Sequence, residues 1–240
     1  MSVVRVEFLG DRALLLRFGE RIDAGLNARV HAAAQALRDA ALPGLRDIVP
    51  AYASIAVHYD PATWLDRKAG ELPGERLAAR LCDIVDNYNL SKIPKELPAI
   101  EIPVCYGGDF GPDLAEVAEH ARLDANAAIA RHTAANYRVA MLGFAPGFPY
   151  LFGLDARLHT PRRASPRTRV PAGAVAIGGA QTGIYPRELP GGWQIIGRTP
   201  LHLFAAEREP PALLTPGQRV RFRAIDAAAF ATLAAAQSGS

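Results

Sequence analysis

The chain has 240 residues, half of them apolar and about a fifth charged, and carries a formal net charge of +3. That length allows one large domain or two small ones, each able to bury a core, and the near-balanced charge gives no ground for a nucleic-acid or membrane partner. The two cysteines, Cys82 and Cys105, lie far apart and form no CxxC pair, which argues against a disulfide scaffold or a zinc cluster and fits a reduced cytoplasm.

The N-terminus has acidic residues where a signal peptide needs an apolar run, and no apolar stretch approaches the roughly 20 residues that span a bilayer. Val3 to Phe8 alternates apolar and charged residues, Gly10-Asp11 follows as a turn, and Ala13 to Phe18 reads as the second arm of a hairpin. Asp23 can cap a helix whose buried stripe is Leu26, Val30, Ala33 or Ala34, and Leu37, and Pro43-Gly44 ends it. Ile55, Val57 and Tyr59 alternate with Ser54, Ala56 and His58 as a half-buried strand. A second helix runs from Glu75 to about Tyr88, with Leu77, Leu81, Ile84 and Val85 on one stripe. This order predicts a two-layer α/β sandwich over 1–90. The mixed, proline-containing stretch 91–99 is the expected linker to a second domain over 100–240.

Glu101 to Cys105 reads as a strand. Pro112-Asp113 is expected to start a helix, with proline in the first turn and aspartate complementing the dipole, and Asp124 caps another helix to about Ala135. From there to Gly217, glycine and proline punctuate short apolar runs at Val139–Leu142, Ala174–Ile177, Trp193–Ile196 and Leu201–Phe204, and Val220–Phe222 follows. Short strands separated by turns predict a sandwich or closed barrel. An alanine-rich helix from Asp226 to about Ala236 completes the chain.

Common catalytic signatures are missing: no Walker loop, no dinucleotide fingerprint, no nucleophile elbow and no HExxH pair. Three clusters remain. Arg157 to Val170 holds Arg157, Arg162, Arg163, Arg167 and Arg169 with no acid, stiffened by Pro161 and Pro166, which suits a phosphate or a carboxylate. The same arginines can instead cap carbonyls, pair with acids or stand solvated. Without interleaved aromatics the stretch is a poor nucleic-acid site. Gly143 to Tyr150 carries Phe144 and Phe148, which can line a pocket or fill a core. Gly178-Gly179 can form an anion nest beside Gln181, Thr182 and Tyr185, or can be an ordinary barrel turn. Pro190 to Trp193 and Gly197 to Pro200 repeat the pattern of a tight turn leading to a strand, and together these loops suggest one concave site. The expected anion contacts are Arg162, Arg167 and Arg198. Gln181, Thr182 and Tyr185 are expected to orient a ligand, with Phe148 and Trp193 as walls. No catalytic residue and no metal ligand is assigned.

The runs GFAPGFPYLFGLD, TPRRASPRTRVPAGAVAIGG, QTGIYP and PGGWQIIGRTPLHLF, with IPVCYGGDFGPDLAEVAEHARL upstream, resemble the family of 5-oxoprolinase B subunits, which also holds KipI and allophanate hydrolase subunit 1. The resemblance is close from Ile102 to Phe204. It implies an α+β protein whose C-terminal domain is a cyclophilin-like β-barrel. It also implies a heteromeric complex with the C and A subunits of 5-oxoprolinase that cleaves 5-oxo-L-proline to L-glutamate at the expense of ATP, with Mg2+. An inhibitor of a sensor histidine kinase, as in KipI, is the alternative within the family. A urea-carboxylase-like role is disfavoured by the lack of a Met-Lys carrier motif, and prolyl isomerase activity would rest on fold analogy alone.

Overall fold

A computed structural model of the chain describes residues 4–66, 70–87 and 98–238. The chain divides into two compact units, Met1–Lys95 and Glu96–Ser240. The stretch expected to link them falls, through residue 97, outside the described residues.

The first unit runs β1 (Arg5–Phe8), β2 (Ala13–Arg17), α1 (Ala24–Asp39), β3 (Leu45–Pro50), β4 (Ser54–Tyr59), a single-turn α2 (Pro61–Trp64) and α3 (Pro73–Asn87). The strands form an antiparallel sheet in the order β1-β2-β4-β3. Leu14 and Leu16 of β2 and Ile55 and Val57 of β4 lie on one face, as a period of two requires, and meet Val30, Ala34 and Leu37 of α1 and Leu77 and Leu81 of α3. Asp23 caps α1 by accepting from the Leu26 N–H at 2.7 Å, the role its position predicts.

The second unit is built on β5 (Ile100–Tyr106), α4 (Leu114–His120), α5 (Ala125–Ala134), β6 (Tyr137–Leu142), β7 (Pro149–Phe152), β8 (Arg167–Val170), β9 (Ala174–Gly178), β10 (Gln181–Ile184), β11 (Leu189–Gly191), β12 (Gln194–Arg198), β13 (Arg219–Ile225) and α6 (Ala227–Ser238). Seven strands close a barrel in the order β10-β7-β6-β13-β5-β12-β9, while β8 and β11 pair separately as a small flap. Six of these contacts are antiparallel, and β13 runs parallel to β5. The fold is therefore α+β with a closed seven-stranded barrel. Leu201–Phe204, expected as a strand, is not one. Phe204 makes an isolated bridge to Ala212, and Pro200, Pro210 and Pro211 remove the donors a longer ladder needs.

Alternation along the strands sorts two cores. Ile102, Val104, Val139, Leu151, Val175, Ile177, Ile184, Ile196 and Phe222 join Leu114, Val117 and Ala128 of the helices in the main core. The intervening positions Ala174, Ala176, Tyr185 and Ile195 form a second cluster with Phe148, Trp193 and Val170 of the flap, so this one lies on the outer wall of the barrel.

The main core contains one fully buried histidine. His132 of α5 lies against the rings of Tyr137 and Phe222. The Thr182 hydroxyl donates to the Ala176 carbonyl at 3.0 Å, so it accepts from His132 Nε2 at 3.3 Å. Nδ1 is then bare and accepts from the Tyr106 hydroxyl at 2.8 Å. Burial pulls the imidazole down to about pH 3, so the folded protein holds it neutral. An unfolded histidine binds its proton near the ordinary value of 6.5, so the unfolded state holds more protons below that pH. The stability that comes from this difference is fully present above pH 6.5 and declines as pH falls toward 3. We expect urea unfolding between pH 6.5 and 4.5 to show a loss of up to ~1.4 kcal/mol per pH unit. His132→Gln should flatten that segment of the profile, and an unchanged slope would remove His132 as its source.

Candidate functional site

The arginine-rich segment is organised by one aspartate. Asp113 stands at the N-cap of α4, where a helix start is expected, but its carboxylate makes no cap hydrogen bond to that helix. It is drawn away by stronger donors. Arg167 donates to it twice, at 2.9 and 2.7 Å, in the bidentate geometry that makes such pairs strong. Arg163 donates at 3.1 Å and the backbone N–H of Ile195 at 2.7 Å. The Asp113 N–H in turn donates to the Ile195 carbonyl at 2.9 Å. The carboxylate side chain is 5% exposed. One buried group therefore ties the entry of α4 and strand β12 to the segment that carries the arginines.

Arg162 is left free of that ion cluster. Its guanidinium lies over the indole of Trp193, 5.7 Å from the ring centroid, a cation–π contact of about 0.5–1 kcal/mol at an exposed site. Trp193 stands edge-on to Phe148 at 5.7 Å and to Tyr150 at 5.8 Å, and Phe148 is edge-on to Tyr185 at 5.2 Å. The floor beneath these rings is the small-residue row Ala174, Ala176 and Gly178 of β9. A Cβ on Gly178 would come within 2.6 Å of the Trp193 indole, so only glycine lets the ring lie there. Burial raises both phenols above their ordinary value. For Tyr150 the charge of Arg162 opposes the rise, and for Tyr185 a backbone hydrogen bond from Trp193 does so, with Arg162 and Arg167 adding to it. The result is an aromatic shelf with neutral phenols and, in Arg162, a guanidinium that stands outside the ion cluster.

Of the residues expected at the site, Arg162, Arg167, Phe148, Tyr185 and Trp193 converge here. Arg167 is held by Asp113 through both of its terminal nitrogens, so it shapes the site. Thr182 turns into the barrel, fully buried, and holds His132. Gln181 is half-buried in the β9–β10 turn, opposite Gly178. Arg198 donates to the Ala172 carbonyl at 2.7 Å and stacks over Phe230 of α6, a different set of partners. The Gly178-Gly179 nest does not form, because Gly179 donates its N–H to the Thr160 carbonyl at 2.8 Å. Phe144, Tyr150, Asp113 and Arg163 also belong to the site. Asp113 was visible only as a helix start, and nothing in a single sequence links it to arginines 50 and 54 positions away.

A shallow cleft of about 470 Å³ lies elsewhere, along Ala127, Ala130 and Ala134 of α5 and the Arg131–Asp155 ion pair. Its polar groups neutralise each other at 2.7 Å, so it presents little chemistry. Among the described residues no group of three His, Cys, Asp or Glu is placed to hold a metal, and no helix is long and apolar enough to cross a membrane.

These two units, a small α+β unit and a closed barrel that follows it in sequence, accompany a family match. Residues 4–214 match the family described as carboxyltransferase domain, subdomain C and D, and the chain belongs to that family. Within it, the chain is 44% identical over 224 residues to the B subunit of 5-oxoprolinase from Bacillus subtilis, covering 91% of each chain. It is 41% identical over 224 residues to the protein of the same name in Escherichia coli O157:H7, covering 92% of this chain and 96% of that one. The crystal structure of TTHA0988 superposes with a TM-score of 0.77 at 42% identity, covering 90% of this chain and 40% of that longer one.

An amide at 113 removes the charge, keeps one acceptor oxygen for donors that share two in the aspartate, and sets an NH2 donor against the others. Asp113→Asn is expected to lower the unfolding free energy by about 3 kcal/mol. The near-ultraviolet circular dichroism of Trp193 should change with it, because β12 loses its tie to α4. A variant with unaltered urea midpoint and spectrum would show that the ion cluster organises nothing.

Proposed function

We propose that this chain is the B subunit of a cytoplasmic 5-oxoprolinase, acting with A and C subunits to cleave 5-oxo-L-proline to L-glutamate as ATP is hydrolysed. The observation that carries this reading is the 44% identity, over nine-tenths of both chains, to a protein of that name. The geometry supports it through the kind of ligand the shelf can take. 5-Oxoproline is a small ring with a carboxylate at one end and a lactam at the other. Arg162 offers a guanidinium for the carboxylate, and the half-buried side chain of Tyr150, edge-on to the buried Trp193, offers apolar surface for the ring.

The lactam is a poor electrophile, and ATP supplies the activation by phosphorylating its oxygen. The donor set of this chain does not fit a triphosphate with Mg2+. Arg163 and Arg167 both spend hydrogen bonds on Asp113, Gly179 has no N–H to offer, and no described acid cluster would seat the ion. The role left to these residues is to bind and orient the substrate and to exclude water from its ring. The nucleotide and the base belong, on this reading, to the A and C subunits.

The test is reconstitution with the A and C subunits and assay of 5-oxoproline-dependent ADP release. Release should require all three chains. Arg162→Ala should lower kcat/KM by about 100-fold, a loss of ~2.7 kcal/mol, with Arg162→Lys recovering part of it. Full activity in Arg162→Ala would sink the site assignment, and 5-oxoproline-independent release in the wild-type complex would sink the function.

A further inference from the structure

We infer that Phe144 is a specificity-determining residue of this site, an aromatic clamp that covers the ring of a small cyclic carboxylate held by Arg162. The inference rests on the substrate class proposed above and gives a role to one of the two phenylalanines of the Gly143–Tyr150 run.

The first observation is backbone strain. The Ala145 N–H donates to the Gly143 carbonyl at 2.8 Å, closing a three-residue turn around Phe144, whose φ is +69°. This is the less favourable hand of γ-turn, and a bulky side chain resists it where glycine would not. The second is position. Phe144 is 60% exposed, whereas Phe148, four residues on, is 1% exposed. An apolar ring gains from burial, yet the turn holds this one out. The third is fixation. The Gly143 N–H donates to the Phe148 carbonyl at 3.1 Å and the Phe148 N–H to the Ala145 carbonyl at 3.0 Å, so the loop is pinned in the strained form. Strain that is maintained by its surroundings and displays a side chain points to use of that side chain.

The fourth observation says what the ring faces. Phe144 is edge-on to Phe148 at 5.4 Å and to Tyr185 at 6.3 Å. Tyr185 is also within the field of Arg162. Arg162 lies over Trp193, and Trp193 and Phe144 both stand edge-on to Phe148, so the cation and the exposed ring flank the same buried aromatic pair. A ligand about one ring in size, apolar on one side and anionic on the other, satisfies both. Longer polyanions would need further free cations, and Asp113 holds the two nearest in sequence to that role.

The experiment uses the reconstituted complex and, in parallel, this chain carrying Trp64→Phe. The chain has two tryptophans, so that variant leaves Trp193 as the fluorescent reporter of the shelf. Phe144→Ala should raise the KM for 5-oxo-L-proline about tenfold with kcat nearly unchanged, and Phe144→Leu should recover most of the loss. Phe144→Gly should show the same raised KM while melting no lower than wild type, because glycine accepts the turn. That combination separates a lost contact from a damaged fold. An unchanged KM in both Phe144→Ala and Phe144→Gly, with Arg162→Ala inactive, overturns the clamp and leaves the proposed function standing. If the wild-type complex is inactive but 5-oxo-L-proline quenches Trp193 and Phe144→Ala weakens that quenching, the function falls and the clamp stands. Absence of both activity and quenching overturns both.

Discussion

The candidate site depends on a single buried carboxylate. Asp113 accepts from two arginines and from the backbone of β12, and it does so almost without solvent. A carboxylate in such a place is costly to desolvate and is tolerated because both of its oxygens are met by donors. The consequence is geometric. Arg163 is the neighbour of Arg162, and Ile195 is two residues from Trp193, so the two halves of the cation–π contact hang from the same anchor. With Arg163 and Arg167 tied to the aspartate, Arg162 is the arginine of the three whose guanidinium lies on the shelf itself.

The barrel wall separates two kinds of chemistry by a period of two. Positions that face inward hold branched aliphatics and the His132–Thr182–Tyr106 chain, where each polar atom is matched and the imidazole stays neutral. Positions that face outward on β9 are alanine and glycine, and the space they vacate is filled by rings from other strands. The inward set specifies the fold and the outward set forms the shelf. Thr182 lies beside Gly183 in the same strand, so one step along the chain decides which set a residue joins.

Much of the fold was legible because it is local. The hairpin of β1 and β2, the stripe of α1 and its Asp23 cap, and the apolar cores of β6, β9 and β13 follow from alternation, helical spacing and capping chemistry. β8, β10 and β11 escape such a reading because they are short, charged or glycine-bearing and owe their pairing to tertiary contacts. Leu201–Phe204 fails in the opposite sense: its apolar pattern suits a strand, but the prolines around it deny a ladder. The site divides in the same way. Residue type identified Arg162, Trp193, Phe148 and Tyr185 as a group. It could not reveal that Asp113 occupies Arg163 and Arg167, that Thr160 takes the Gly179 N–H, or that Thr182 faces inward, since each depends on a partner remote in sequence.

The parallel pairing of β13 with β5 has a kinetic meaning. It joins Ile100–Cys105 to Val220–Ile225, partners about 120 residues apart, and β13 also completes the ladder to β6. Loop closure over that span precedes any gain from the contacts it permits, which makes the barrel a slow, late-closing structure. On the ribosome, β5, β6, β7, β9, β10 and β12 all emerge before the strand that seals them. Until then the barrel has two unpaired edges, on β5 and β6, which are open templates for strand addition by another chain. Assembly of the shelf is thus tied to the emergence of β13, and the nascent chain passes through a stage at which aggregation competes with closure.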